Sequence, residues 1–387
     1  MERGIMSRPL AVPMYDHAGS WAAHRAAVHD AVDRVLASGE PSWGSEVPRF
    51  EAAFANLVGA RFGVGTASGT ASLTIALRAL ELGAGDEVIT AANSDVGTIN
   101  AILLAGATPV LCDVAPGTLV LEARDVAARV TARTRALLPV DLFGQPAPMA
   151  ELNELAQRHG LAVVEDACLA LGAELGGKRV GSLATITCFS FAPTKHLGAL
   201  GAAGACTTED EALYRRMLRI AGYGQDRDRH VARLGGPAAD ALHLDVGLNA
   251  RMDELQAAIV LAKLPYVDAD LALRRAHAAR YDAALRGSRV APPPRRPDTL
   301  HAFRNYVVEV EGRAEVAARL AQAGVASAVL YVPPLPLQPA FAFLGHRPGD
   351  FPVTELAAER ILSLPTGPHL SAAQIDHAAS SLLRAVS

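Results

Sequence analysis

The chain has 387 residues, 36 basic and 40 acidic side chains, a formal net charge of -4, and hydrophobic residues at half its positions. That length exceeds one ordinary domain and suits two, each burying its own core. With no Lys/Arg cluster, the charge pattern implies neither nucleic acid nor an anionic membrane as a partner. The opening segment, Met1 to His17, lacks an uninterrupted apolar stretch and a small-residue cleavage site, which argues against secretion and for a cytoplasmic protein. Residues 99–114 are the most apolar stretch, but Gly106, Thr108 and Pro109 break it, so it reads as a buried helix running into a strand and not as a membrane span. Cys112, Cys168, Cys188 and Cys206 have no CxxC or metal-ligand spacing and read as reduced core thiols. Lys178, Lys195 and Lys263 are the only lysines, the other 33 basic residues being arginine, so chemistry that needs an amine has few candidates.

In chain order, the apolar spacing of Leu73, Ala76, Leu77 and Leu80 predicts a helix over 71–82. Then follow a strand at 87–90, a helix at 97–105, a strand at 109–112, a helix at 121–130, a strand at 136–140, a helix at 149–159 and a strand at 161–164. Repeated βα units of this size predict an α/β fold, a mostly parallel sheet flanked by helices, whose ligands sit outside the carboxyl ends of the strands. The run Ala-Pro-Pro-Pro-Arg-Arg-Pro at 291–297 breaks all periodicity and reads as a connector. Beyond it a strand at 306–310, a helix at 313–323 and a strand near 326–331 predict a smaller α+β domain. The expected division is a large domain over 1–265 and a small C-terminal domain over 266–387.

Three places could carry chemistry. Ser68, Gly69 and Thr70 precede the first apolar helix, where free N–H groups and the helix dipole favour a phosphate; a plain Ser/Thr cap is the competing reading. Asp166 follows an apolar strand at the ligand-binding edge, where a carboxylate can pair with a protonated pyridine nitrogen or simply cap the next helix. Lys195 lies in Ser190-Phe-Ala-Pro-Thr-Lys195-His-Leu-Gly198, at the end of a strand-like run. Its apolar neighbours Leu197 and Leu200 make an idle surface charge an unlikely occupant, and a desolvated amine is nucleophilic toward an aldehyde.

Taken together and in this order, these features resemble the DegT/DnrJ/EryC1/StrS family, the sugar-aminotransferase branch of fold-type I enzymes dependent on pyridoxal 5'-phosphate (PLP). The resemblance runs from LASGEPSWGSEVPRFEAAFANLVGA through ASGTASLTIAL, GDEVI, VVEDA, FSFAPTKHLGALGAAGA and GLNARMDELQAAI to LPLQPAF and LSLP. It implies that Lys195 holds the cofactor as a Schiff base and shuttles the substrate proton, that Asp166 binds the pyridine nitrogen, and that Gly69, Thr70 and Ser190 hold the phosphate. Asn249 resembles an asparagine that family members send to the phosphate of the neighbouring subunit, which implies a homodimer with a shared active site. The implied reaction moves an amino group from glutamate or glutamine to a keto-sugar nucleotide or a carbocyclic ketone.

Four positions depart from the family pattern. No aromatic or His occurs between Gly85 and Leu142, so the residue that usually stacks on the cofactor ring is missing, and Asp95 occupies its place. Leu169 stands where a Gln near the ring hydroxyl is common, Leu171 where a His is common, and Pro336 replaces the His of a PLHLQP-like segment. Asp95 and Leu169 are therefore expected against the cofactor, with one ring face covered by the 93–96 loop, by substrate or by an aromatic from elsewhere. An ordinary keto-sugar acceptor, an unusual acceptor and a non-transaminating reaction such as dehydration, decarboxylation or condensation all remain open.

Overall fold

The computed structural model describes residues 12–226, 242–290, 292 and 294–387. The N-terminal stretch through Ala11, and Ala291 and Pro293 of the connector, lie outside the described residues. A seven-stranded sheet forms the centre of the chain, built from β1 (Phe62–Thr66), β2 (Glu87–Ala91), β3 (Thr108–Cys112), β4 (Thr134–Leu138), β5 (Ala162–Asp166), β6 (Ile186–Ser190) and β7 (Gly204–Thr208). Its order is β1-β7-β6-β5-β4-β2-β3, and only β7 runs against the others. The expected mostly parallel α/β sheet is present.

Buried on both faces, these strands are near-continuous apolar runs, as parallel sheets require. Helix α1 (Glu46–Val58) packs Phe50 and Phe54 against Phe189 and Phe191 of the β6 region, with ring centroids 5.0–5.5 Å apart. Helix α2 (Gly69–Ala79) buries Leu73, Ile75 and Leu77 completely or nearly so, each worth about 1.5–3 kcal/mol of burial. Helices α3 (Val96–Leu104) and α4 (Met149–His159) complete the βα units.

Three local expectations change. The strand read as 161–164 extends to Asp166, because Val164, Glu165 and Asp166 pair with Ile186, Thr187 and Cys188 of β6; the hydroxyl of Thr187 donates to Glu165 at 2.8 Å, which lets a carboxylate sit inside the sheet. The helix read as 121–130 shrinks to Ala123–Ala127, with no side-chain cap at its start. The strand near 326–331 does not form. Ala328 makes a two-bond bridge to Ser363, after which Tyr331 turns at φ +61 and two prolines follow.

Helix α5 (Glu254–Lys263) and the long helix α6 (Val267–Leu285) carry the chain onward. Val267 and Leu271 of α6 pack with the α1–β6 core, whereas Ala278, Tyr281 and Leu285 join a second core. That second core comprises the β8 (Tyr306–Glu309) and β9 (Ile361–Leu364) pair with α7 (Arg313–Gln322) and α8 (Ala372–Ala385). Residues 335–351 fold back, so that Leu335, Phe341 and Phe351 pack on Ala92 after β2, Ile99 of α3 and Leu111 of β3.

One long-range contact ties the α1 end of this frame to α5. Ser45, at the cap position of α1, makes no side-chain capping bond. The Glu254 carboxylate does so from 208 residues away, accepting from the amides of Gly44 (2.9 Å), Glu46 (2.8 Å) and Val47 (3.0 Å). A carboxylate at a helix N-terminus also meets the positive end of the helix dipole. Glu254→Ala strands three donors and is expected to lower unfolding free energy by about 2–4 kcal/mol, with Glu254→Gln losing less. Denaturant titration at fixed cofactor concentration measures both, and an unchanged midpoint in Glu254→Ala would remove the tether from the account.

Candidate active site

The carboxyl edge of the sheet gathers most of the residues singled out from the sequence. At the end of β1, Ser68 caps α2 by accepting from the Ala71 amide at 3.1 Å, so the capping reading of this residue is correct. Gly69 is the first residue of that helix and is buried. A Cβ on it would lie 2.8 Å from both Cys168 Sγ and Ser190 Cβ, so only glycine lets the helix start approach Ser190 this closely. Thr70 follows in the same turn, its hydroxyl 2.7 Å from where a Cβ on Gly97 would stand.

Asp166 ends β5 and is 5% exposed. No helix follows it, so it is not a helix cap. One carboxylate oxygen accepts from the Thr98 hydroxyl at 2.8 Å and the other from the Cys168 amide at 3.2 Å. Thr98 is in turn bonded to Ser94 at 2.7 Å. Burial raises the Asp166 pKa, opposed by the Cys168 and Thr98 hydrogen bonds and by the charge of Lys195. Glu165, on the other face of β5, and Asp141 are fully buried, and burial pushes both carboxyls up, Asp141 further raised by the charge of Glu165 and Glu165 by that of Asp166.

Lys195 lies in the turn after β6. Its amide donates to Ala192 O at 2.8 Å, and Ala199 donates back to Phe191 O at 2.8 Å, closing the loop. Lys263, the buried last residue of α5, donates its amine to Gly198 O at 2.7 Å and so pins the far side of the same loop. Burial pulls the Lys195 amine below the usual lysine range, with the Arg304 guanidinium adding to the effect and Asp166 and Asp95 opposing it. The adjacent His196 bonds to Ala302 O at 3.0 Å, and burial holds it neutral.

Asp95 is exposed and caps α3, accepting from Gly97 at 2.8 Å. An aromatic from outside the 85–142 window does reach this region. Tyr331, whose hydroxyl is pushed up first by burial and then by Asp95 and Asp166, packs 5.8 Å from Phe143. Phe143 and Tyr331 have φ of +58 and +61, conformations that bulky residues rarely adopt and that cluster at functional sites. Leu169 and Leu171 are buried in two different apolar clusters and offer no polar atom. Pro336 is buried in a short turn beside Leu335. Cys168 is not the core thiol expected, being only half-buried between Gly69 and Asp166; all four cysteines are free. Asn249 makes no hydrogen bond to this cluster, and its exposed side chain lines a small cleft with Ser42, Trp43 and Arg251.

Sequence reading missed Thr98, Asn93, Tyr331 and Arg304. Thr98 had a signal: it sits three residues after Asp95, in the first turn of a helix that opens at the ligand-binding edge. Asn93 is 3% exposed and its Nδ2 has no partner. Arg304 and Tyr331 had no comparable signal in the sequence.

These residues fit PLP. The glycine-lined start of α2 against Ser190 is a cradle for a phosphate, Asp166 is a carboxylate held in place for a pyridine nitrogen, Lys195 is a desolvated amine, and Asn93 keeps a buried donor free. Such a set at the carboxyl edge of a mostly parallel sheet defines a PLP-dependent aminotransferase of fold type I. More narrowly, the chain belongs to the DegT/DnrJ/EryC1/StrS aminotransferase family, whose profile matches residues 23–383. A Pseudomonas aeruginosa protein named UDP-2-acetamido-2-deoxy-3-oxo-D-glucuronate aminotransferase is 39% identical to it over 91% of this chain and 95% of its own. A Geobacillus stearothermophilus protein named pleiotropic regulatory protein is 38% identical over 94% and 95% respectively. The crystal structure of DesV from S. venezuelae, in complex with a ketimine intermediate, superposes with a TM-score of 0.92 at 36% identity, covering 97% of this chain and 98% of that one. The non-transaminating alternative finds no support among these relatives.

The Thr98–Asp166 bond can be tested directly. Thr98→Val keeps the side-chain shape and removes one hydrogen bond to a buried carboxylate, so the single-turnover rate with amino donor is expected to fall roughly tenfold. Asp166→Asn removes the charge itself and is expected to retain cofactor while losing about 100-fold or more. Equal rates in wild type and Thr98→Val would leave Thr98 as space-filling only.

Proposed function

We propose that this protein transfers an amino group from glutamate or glutamine to a ketone on a nucleotide-linked sugar, with Lys195 and Asp166 as its catalytic residues. The observation that carries the reading is the Asp166 carboxylate, buried at the sheet edge and held by Thr98 and the Cys168 amide, with the desolvated Lys195 amine near enough to feel its charge. Gly69, Thr70 and Ser190 would hold the cofactor phosphate. Bound PLP would supply an electron sink for the carbon that loses its proton. Lys195, its amine pulled toward neutrality, accepts that proton and returns it to the neighbouring carbon in the course of transfer. Asp166, fixed by Thr98 and Cys168, keeps a pyridine nitrogen protonated. Asp95 and Leu169 would border the ring, with Tyr331 supplying the aromatic surface absent from the 93–96 loop. The sugar acceptor is supported by the printed activity of the Pseudomonas relative, which bears on that protein first.

The working unit is proposed to be a cytoplasmic homodimer in which the exposed Asn249 of each chain reaches the phosphate held by the other. A large domain over 1–265 and a small one over 266–387 are proposed; the two cores support the division, with α6 passing from one to the other, its Val267 and Leu271 in the first and Ala278, Tyr281 and Leu285 in the second.

Lys195→Ala is expected to abolish turnover and the visible absorbance of a lysine-bound cofactor, while Lys178→Ala keeps both. Adding glutamate to wild-type holoenzyme is expected to convert the cofactor to its amine form; no conversion by glutamate or glutamine would overturn the aminotransferase reading. Co-expressed Lys195→Ala and Asn249→Asp chains are expected to recover activity that neither has alone, because a hybrid dimer puts both defects in one site and leaves the other whole. A fully active monomer would exclude the shared site.

A further inference from the structure

The loop that carries Lys195 is held from behind by α5. Gln256 and Lys263 stand seven residues apart on that helix, a spacing that puts both on one face. Gln256 closes a pair of bonds with the Leu200 backbone, accepting from its amide at 2.9 Å and donating to its carbonyl at 3.0 Å. Lys263 donates to Gly198 O at 2.7 Å, three residues from Lys195. Glycine suits a loop folded this tightly, since a Cβ at 198 would stand 2.5 Å from Pro193 O.

The Lys263 amine is also covered from the N-terminal side. The short helix His17–Ala22 brings the half-buried Trp21 ring over it, 4.3 Å from the centroid. Just beyond, His24 packs on Tyr266 with ring centroids 4.4 Å apart. Ala31 and Val35 of the helix Arg25–Ser38 then pack on Ala258 of α5. Trp21 and Leu200 line one groove, so the N-terminal helix borders the loop itself.

A buried ammonium is costly unless its donors and its charge are answered. Burial pulls the Lys263 amine down to about 8, with the charge of Asp270 on α6 opposing the fall. The adjoining His24 is lowered by burial against the charge of the same Asp270. An aliphatic side chain would fill the position without the desolvation cost, so what the ammonium adds there is its pair of contacts, one to the Lys195 loop and one to the N-terminal helix.

We propose that Trp21 and Lys263 form a latch that positions Lys195. The Lys263 ammonium, gripped between the Gly198 carbonyl and the Trp21 ring, passes the docking of the N-terminal helix on to the loop. Both are positioning residues, acting on Lys195 through Gly198. The proposal rests on the reading of Lys195 as the amine that holds the cofactor, and adds what fixes its place.

Amide hydrogen exchange in the cofactor-free chain reads the loop without any turnover. Lys263→Met keeps the stem and removes the ammonium; exchange over 195–200 is expected to quicken about tenfold or more, with the strands of the main sheet unchanged. Trp21→Leu keeps the bond to Gly198 and removes the ring, so a rise of about threefold to tenfold is expected in the same residues. Lys263→Arg, which restores a cation able to donate, is expected to return most of the protection. The double variant is expected to match Lys263→Met alone, because the ring acts only through the amine.

The loaded enzyme supplies a second signature. The pH at which the visible band of the lysine-bound cofactor titrates is expected to shift in Trp21→Leu as well as in Lys263→Met. Trp21→Leu leaves the charge of Lys263 in place, so its shift reports position and not electrostatics. Where circular dichroism shows Lys263→Met unfolded, Trp21→Leu and Lys263→Arg decide the matter. Wild-type exchange over 195–200 in Lys263→Met or in Trp21→Leu overturns the latch, as does a rise spread evenly over the sheet, or additive effects in the double variant. Conversion of wild-type holoenzyme by glutamate is read separately: a loosened loop without conversion keeps the latch and removes the aminotransferase reading.

Discussion

A carboxylate at the end of a buried strand is expensive unless every lone pair it turns inward is answered, and much of this active site can be understood as the set of answers given to Asp166. Thr98 reaches it from the first turn of α3 and the Cys168 amide from the turn that follows β5, while Lys195, in the turn after β6, offers it an opposite charge. These three groups come from the segments that follow three separate strands, so the site exists only when β2, β5 and β6 are in register. The pairing of Asp166 with Cys188 sets one of those registers. Immediately behind, burial raises the carboxyls of Glu165 and Asp141, which disfavours negative charge there and leaves it to Asp166.

The legible parts of the sequence were those governed by period and by rare residues. The βα alternation from Gly69 to Asp166 follows from apolar runs separated by helical spacing, and the residues at 69, 70, 166, 190 and 195 stand out because the sheet edge is where chemistry collects in this architecture. Three lysines in 387 residues made Lys195 conspicuous. The elements that were read poorly depended on partners distant in sequence. Glu165 and Asp166 look like the end of a strand until Thr187 is seen to satisfy one of them inside the sheet. The segment at 326–331 alternates like a strand, yet its pairing ends at Ala328 because the next residues turn toward Phe143.

The same limit explains the missed site residues. Tyr331 and Arg304 lie more than 100 residues beyond Lys195, and no spacing rule connects them to it. They arrive because residues 335–351 fold onto Ala92, Ile99 and Leu111, and because Phe143 accepts from the Arg304 amide. The apparent loss of aromatic cover over the 93–96 loop is thus a statement about one stretch of chain. In three dimensions the C-terminal region brings Tyr331 near enough to Asp95 to feel its charge.

The scarcity of lysine has a consequence for covalent selectivity. An aldehyde condenses with any accessible unprotonated amine, and a surface rich in lysine offers many competing sites. Here Lys263 is occupied, its amine bonded to Gly198 O and lying 4.3 Å over the Trp21 ring. That leaves Lys178, exposed on a two-residue strand, as the one open side-chain amine apart from Lys195. With arginine carrying nearly all the remaining positive charge, the surface is almost inert toward carbonyl compounds, and the protein can live in the presence of a reactive aldehyde with its attachment point chosen largely by what the rest of the chain lacks.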